Sequence, residues 1–331
     1  MERKLDIIIP HYKEPWELCK YLLDSIALQR GVPMKDVRVV IVNDGDECLL
    51  EEEPLNEYPF GIVYQVKPHG GISDTRNYGI DFSDADYIMF CDADDGFLNN
   101  YALHLIFAAI QEGFDYLIGN FIEETFDVGG NPTIVKHGND LTFMHGKVYR
   151  RQFLLDHNLR FDPAMTIHED GYFNMLAYVT AVHEGKVKNI DTPIYIWRWN
   201  NDSVVRKDKK DFVLRTYSHV MQTRDGISSE LKRRGYEKEY VTSVMMTVLN
   251  SYYDFQKPSY NTPENAKYLK AAEKQFRAYY MKYKKTFDDC TYAQVAEMAR
   301  SARETAVANG MLMERTDLRT FLRHIEYEVK P

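Results

Sequence analysis

Two apolar runs early in the chain end abruptly in carboxylates, and this feature limits the possible folds most. Val37 to Val42 leads into Asn43-Asp44-Gly45-Asp46, and Tyr87 to Cys91 leads into Asp92-Ala93-Asp94-Asp95. A continuous apolar run reads as a strand covered on both faces, which is the habit of parallel sheets flanked by helices. Each run therefore places charge at the mouth of the core. In open α/β sheets that position, beyond the carboxyl ends of the strands, is where ligands bind.

The rest of the first two-thirds supports this class. Leu5 to Pro10 and Ile62 to Val66 read as further strands, and Tyr116 to Ile122 as another. Pro15 to Gln29, Asp74 to Phe82 and Asn99 to Glu112 read as helices between them. The order predicts an α/β fold, a mostly parallel sheet with helices on both faces. Gly129-Gly130-Asn131-Pro132 predicts a hairpin turn, Arg150 to His157 and Asp170 to Val182 two helices, and Val187 to Trp199 a strand or strand pair. After about residue 208 strand signals stop. Long Tyr-, Lys- and Glu-rich helical patterns follow, broken near Gly235, Pro258, Pro263 and Gly310. The expected division is residues 1–207 as an α/β domain and 208–331 as an all-helical region.

Composition enters through charge. Residues 1–202 hold 17 Lys and Arg against 33 Asp and Glu, whereas residues 203–331 hold 24 against 17. An acidic first part suits a cation site, and a basic second part can face an anionic acceptor or a membrane surface, although solvated helix faces give the same counts. No run of eighteen apolar residues marks a membrane span. The N-terminal Met1-Glu2-Arg3-Lys4 lacks the apolar stretch of a signal peptide, and the four cysteines form no C-x-x-C pair. The expectation is a cytoplasmic protein, at most peripheral at the inner face of a membrane.

Carboxylates at strand ends can bind a ribose or a divalent cation, and Mg2+ or Mn2+ prefers oxygen ligands and leaves positions for substrate phosphates. Asp and Gly also make turns, so Asp95-Gly96 alone means little. Gly70-Gly71 opens a helix with Arg76 one turn in, where backbone N–H groups favour an anion and a guanidinium pairs with carboxylate or phosphate. Asp170, at the start of an apolar helix, is either its cap or a general base. In Trp197-Arg198-Trp199-Asn200-Asn201-Asp202-Ser203-Val204-Val205-Arg206, the cations and Ser203 can grip phosphate, and one tryptophan can stack on a sugar or base.

Taken together, these segments resemble the family 2 glycosyltransferases of the GT-A fold, a Rossmann-like architecture, over roughly residues 3–206. The likeness rests on "LDIIIPHYKEP", "VVIVNDGDE", "GGISDTRNYGID", "YIMFCDADD", "HEDGYF" and "WRWNNDSVVR" in that order. It implies a nucleotide-sugar site formed by Pro10, Tyr12, Glu14, Asp44, Gly71, Arg76, Asp92, Ala93, Glu169, Trp197, Arg198 and Ser203. Asp44 would contact a uracil and Asp94 would ligate Mn2+ or Mg2+. Asp170 would deprotonate the acceptor for an inverting attack, with Glu169 orienting. The donor implied is a UDP-sugar. Asp46 departs from the pattern, standing where the family has Ser or Thr, and Asn43 replaces the first acidic residue of its pair.

The resemblance does not name the acceptor, which can be a glycan, a lipid-linked sugar, a polymer or a modified base. The helical region would shape the acceptor site, make a homo-oligomer, or dock on a membrane or partner. Two other readings stand beside this one. A sugar nucleotidyltransferase would carry a Gly-rich basic loop where Pro10-His11-Tyr12-Lys13-Glu14-Pro15 stands, and a non-catalytic nucleotide-sugar-binding module would not need Asp170.

Overall fold

The computed structural model describes residues 4–47, 54–127, 129–201 and 211–329, and the chain divides at residue 201 into two compact units. The first unit is built on one mixed sheet. Its strands are β1 (Leu5–His11), β2 (Val37–Asn43), β3 (Gly61–Val66), β4 (Tyr87–Phe90), β5 (Gly96–Phe97), β6 (Tyr116–Phe126), β7 (Pro132–His137), β8 (Lys147–Arg150) and β9 (Val187–Trp197). They lie in the order β3-β2-β1-β4-β8-β6-β9-β5, with β7 paired to β6. β3, β2, β1 and β4 are mutually parallel, as are β6 and β9, while β8 enters antiparallel between β4 and β6.

Every residue of β1 and β2 is buried, as their unbroken apolar runs require. Side chains alternate across the sheet. Leu5, Ile7, Ile9, Val39, Ile41 and Met89 pack with helices α1 (Trp16–Ala27) and α3 (Ala102–Glu112). The alternate residues face α2 (Ile72–Phe82) and, after the short α4 (Arg151–Asp156), α5 (Glu169–Glu184). There the Phe90 ring meets Phe161 and Phe173 edge-on at 5.4 and 6.4 Å. α2 lies so close to β1 that a Cβ at Gly79 would stand 2.5 Å from Ile8 Cγ2.

The alternation of strands and helices read from the sequence is present, with two strands added. β5 has two residues and β8 has four, with a cation at each end of β8, so neither carries an apolar run of detectable length. β6 extends beyond Ile122 to Phe126, and with β7 it forms a ribbon closed by the expected hairpin turn, in which Gly130 adopts φ 80°.

Among its described residues the second unit is helical: α6 (Phe212–Arg215), α7 (Tyr217–Arg234), α8 (Glu237–Asp254), α9 (Ala266–Asp288), α10 (Tyr292–Ala308) and α11 (Leu318–Tyr327). Its core holds Val244, Val248, Leu249, Phe276, Phe321 and Ile325. Several of its tyrosines are buried with their hydroxyls paired, as in Tyr279 to Ser228 and Tyr240 to Thr286. Among the described residues no helix is long and apolar enough to cross a membrane.

Candidate active site

The strand order reverses at β1: β2 and β3 lie on one side of it, β4 on the other. This switch point opens a crevice beyond the carboxyl ends of β1 and β4. The chain leaving β1 makes a tight turn with Lys13 at φ 72°, a conformation costly for a residue with a Cβ. Asp46 holds it there, accepting the Lys13 N–H at 2.8 Å, and Asn43 in turn accepts the Asp46 N–H at 2.7 Å. The departure of Asp46 from Ser or Thr thus has a local reason, because a carboxylate ties the loop after β1 to the loop after β2. Within the turn Glu14 accepts the Tyr12 N–H at 2.6 Å, and the half-exposed Tyr12 ring stacks on His69 at 4.6 Å.

Asp44 is buried. Its carboxylate accepts from Gly70 N–H at 2.9 Å, Gly71 N–H at 2.8 Å and Lys67 Nζ at 2.7 Å, and lies 2.8 Å from His69 Nδ1. Burial alone would raise its pKa, but Lys67 and the two glycine N–H groups bring it below the ordinary value. The sequence favoured a ligand anion at the start of α2, and the structure places Asp44 there instead. Gly71, at φ 86°, supplies the backbone conformation that aims its N–H at this carboxylate.

The floor of the crevice is acidic. Arg76, fully buried, donates from one nitrogen to Asp92 at 3.1 Å and from the other to Glu169 at 2.9 Å, with its guanidinium over the Phe161 ring. Desolvation would depress its pKa, yet Asp92, Glu169 and Asp170 together hold it above the ordinary value. His168, in the left-handed region at φ 66°, turns the chain into α5 so that Glu169 and Asp170 form its first turn. Burial and Glu169 push the Asp170 carboxyl up to about 7, with Arg76 opposing. Burial, with Asp94 and Asp92 nearby, brings Glu14 also to about 7, against the pull of backbone hydrogen bonds. Asp95 is completely buried and raised well above the usual range, first by desolvation and then by Asp92 and Asp94.

A surplus of mutually repelling carboxylates is the electrostatic signature of a cation site. Ligand atoms of Asp92, Asp95 and His145 lie within 4.8 Å of one another. Desolvation lowers His145 to about 3, so its imidazole is neutral and able to donate a lone pair. Two carboxylates and an imidazole fit a divalent cation of the Mn2+ type. Asp94, the ligand implied by the Asp-x-Asp pattern, is outside this trio, and its carboxylate accepts from Asn200 Nδ2 at 2.8 Å. Asp95 instead turns inward, accepting from Tyr195 Oη and the Arg198 N–H, both at 2.9 Å.

The remaining expected residues divide. Pro10 and Ala93 are buried supports at the ends of β1 and β4. The Arg198 guanidinium lies over the Tyr21 ring, 3.6 Å from its centroid, and Trp197 lies against Phe143 and His145. Ser203 and Arg206 lie outside the described residues. Sequence reasoning missed His145, Tyr195 and Lys67. His145 and Tyr195 reach the site from a loop and a strand remote in sequence, and Lys67, just after β3 and three residues before Gly70, stands in no spacing that marks it.

Comparison with known proteins gives one consistent answer. Residues 6–166 match the model of glycosyl transferase family 2. The uncharacterized glycosyltransferase EpsJ of Bacillus subtilis is 28% identical over 225 residues, covering 60% of this chain and 62% of EpsJ. The chain therefore spans less than two-thirds of that relative. The crystal structure of Staphylococcus aureus TarS residues 1–349 shares the fold with a TM-score of 0.59 at 16% identity, covering 95% of this chain and 94% of that one. The same TarS segment in complex with UDP-GlcNAc gives a TM-score of 0.51 at 17% identity, covering 93% and 92%. The mannosyltransferase PcManGT of Pyrobaculum calidifontis, solved with GDP-Man and Mn2+, gives 0.51 at 13% identity, covering 98% and 84%. The GT-A architecture expected from the sequence is the one observed.

Proposed function

We propose that this chain, whose residues 6–166 match the model of glycosyl transferase family 2, moves a sugar from a nucleotide diphosphate to an acceptor hydroxyl with inversion at the anomeric carbon. One observation carries this reading. At the sheet's switch point, a cation-ready group of ligands and a separate carboxyl near neutrality share one arginine, Arg76, which bonds Asp92 and Glu169 and lies in the field of Asp170.

In the proposed step Asp170 takes the proton of the acceptor hydroxyl as its oxygen bonds to the anomeric carbon. The bond from that carbon to the diphosphate oxygen breaks, and its electron pair departs with the diphosphate. A carboxylate with a pKa of about 7 is well matched to this work at neutral pH. Glu169 and Arg76 orient Asp170 and Asp92, and Asp44 fixes the loop that receives the base. Asp92, Asp95 and His145, with Asp94 beside them, would hold a divalent cation, which would supply positive charge for the leaving diphosphate. The imidazole in this set favours manganese over magnesium. The TarS complex with UDP-GlcNAc supports a UDP-sugar as donor.

The test is Asp170→Asn, assayed for transfer and for donor binding. A loss of roughly 10²- to 10⁴-fold in kcat with donor affinity kept supports the base. Undiminished turnover removes Asp170 from the chemistry and turns the site towards a binding role.

A further inference from the structure

Beyond Asp95 the floor of the crevice continues into an aromatic face. β6 and β9 set Phe121 beside Tyr195 and Glu123 beside Trp197, and β7 sets His137 opposite Phe121 and Val135 opposite Glu123. Residues in register across a ladder share a face, so these six side chains line one side of the sheet. Phe143 and His145 cover part of it. Their rings stack at 5.6 Å, and Trp197 lies 5.0 Å from the first and 5.1 Å from the second. His145 belongs to the trio with Asp92 and Asp95, and the Phe143 carbonyl accepts from Asn174 of α5 at 2.9 Å. The face is thus one layer of side chains from the cation ligands and tied to the helix that carries Asp170.

Its polar content is acidic. Glu123 pairs with His137 at 3.0 Å, and Asp140 accepts the N–H groups of Thr142 and Phe143 at 2.9 and 2.8 Å. Lys136 is in register with Ile122 and falls on the opposite face. Lys147 is completely buried, with its ammonium 5.6 Å from the centre of the Phe121 ring.

We propose that this face is the acceptor subsite and that it takes a neutral saccharide. A pyranose ring would lie on Trp197, with its hydroxyls bonded to Glu123 and His137. The inference rests on the glycosyl-transfer reading and adds the acceptor's class to it. Phe121 and Tyr195 are fully buried beneath it, and the part that a ring can reach is formed by the partly exposed Trp197, Phe143, Glu123 and His137. An aromatic ring edged by a carboxylate suits a sugar with an apolar C–H face and hydroxyl rims. A polyol phosphate would bring its negative charge against Glu123 and Asp140.

The experiment begins with the full chain, Mn2+ and whichever UDP-sugar it hydrolyses. Neutral oligosaccharides and a polyol-phosphate oligomer are then compared as acceptors. The saccharides should raise donor turnover at least roughly tenfold over hydrolysis, and Trp197→Ala should raise the saccharide KM by about tenfold, well beyond any change in donor Kd. Trp197→Phe should recover most of the loss. Val135→Glu, a change at a residue 41% exposed, adds charge without removing packing, and should also weaken saccharide use if Trp197→Ala fails to fold. Preference for the polyol phosphate, or variants that move donor Kd instead of acceptor KM, overturns the proposal. If the wild type binds and hydrolyses no nucleotide sugar at all, the transfer reading itself fails, and this inference with it.

Discussion

Arg76 has its guanidinium out of water between carboxylates from two different elements, Asp92 and Glu169. Removing one partner of such a buried set leaves charge uncompensated, so Arg76→Met should cost about 3–5 kcal/mol, read from urea unfolding. The same arginine opposes the rise of Asp170, which stands at about 7. Turnover should therefore fall as pH drops through about 7, where Asp170 takes up a proton, and in Arg76→Met this acidic limb should move to higher pH. A limb that stays near the ordinary carboxylate range would mean that Asp170 does not set the rate. The sign for stability is opposite. A raised folded-state pKa favours the neutral carboxyl, and its contribution is lost as pH rises through about 7. At this scale the sequence was legible where chemistry sits in a motif. Arg76, Asp92 and Asp170 all meet at the site. His145 was not legible, since the sequence shows only a histidine before a glycine, and the fold alone brings it to Asp95.

Elements set these residues by close contacts and by ties between loops. Gly79 lets α2 approach β1, and in Gly79→Ala the new methyl would stand 2.5 Å from Ile8 Cγ2. Alanine favours a helix by about 1 kcal/mol over glycine, but overpacking costs about 1–3 kcal/mol. A lowered Tm is expected, and an unchanged or raised Tm would show that α2 can move off the sheet. The turn after β1 is held by Asp46 on the Lys13 N–H. Asp46→Ala should raise the donor KM several-fold with smaller change in kcat, because the turn carries Tyr12 and Glu14 rather than the base. The long buried strands and most helices could be read from apolar runs and helical spacing. β5 and β8 could not, because two- and four-residue strands are made by pairing with their neighbours rather than by their own pattern.

The whole chain carries an unequal charge, with 33 acidic residues in positions 1–202 and 24 basic residues in 203–331. By itself the basic second part favours an anionic acceptor, whose KM would rise steeply with salt. The acidic aromatic face of the first unit favours a neutral saccharide, whose KM would stay flat between low and high salt. Measuring acceptor KM across that range decides between them. The central claim is that the carboxylates at the mouth of the core hold a cation together with a nucleotide diphosphate sugar. The direct measurement is titration calorimetry of a UDP-sugar panel against the full chain in Mn2+ and in EDTA, repeated with Asp92→Asn and Asp94→Ala. The account predicts that one UDP-sugar binds in Mn2+, that EDTA abolishes this binding, and that Asp92→Asn weakens it strongly. Equal binding in EDTA, or none in any condition, would contradict it.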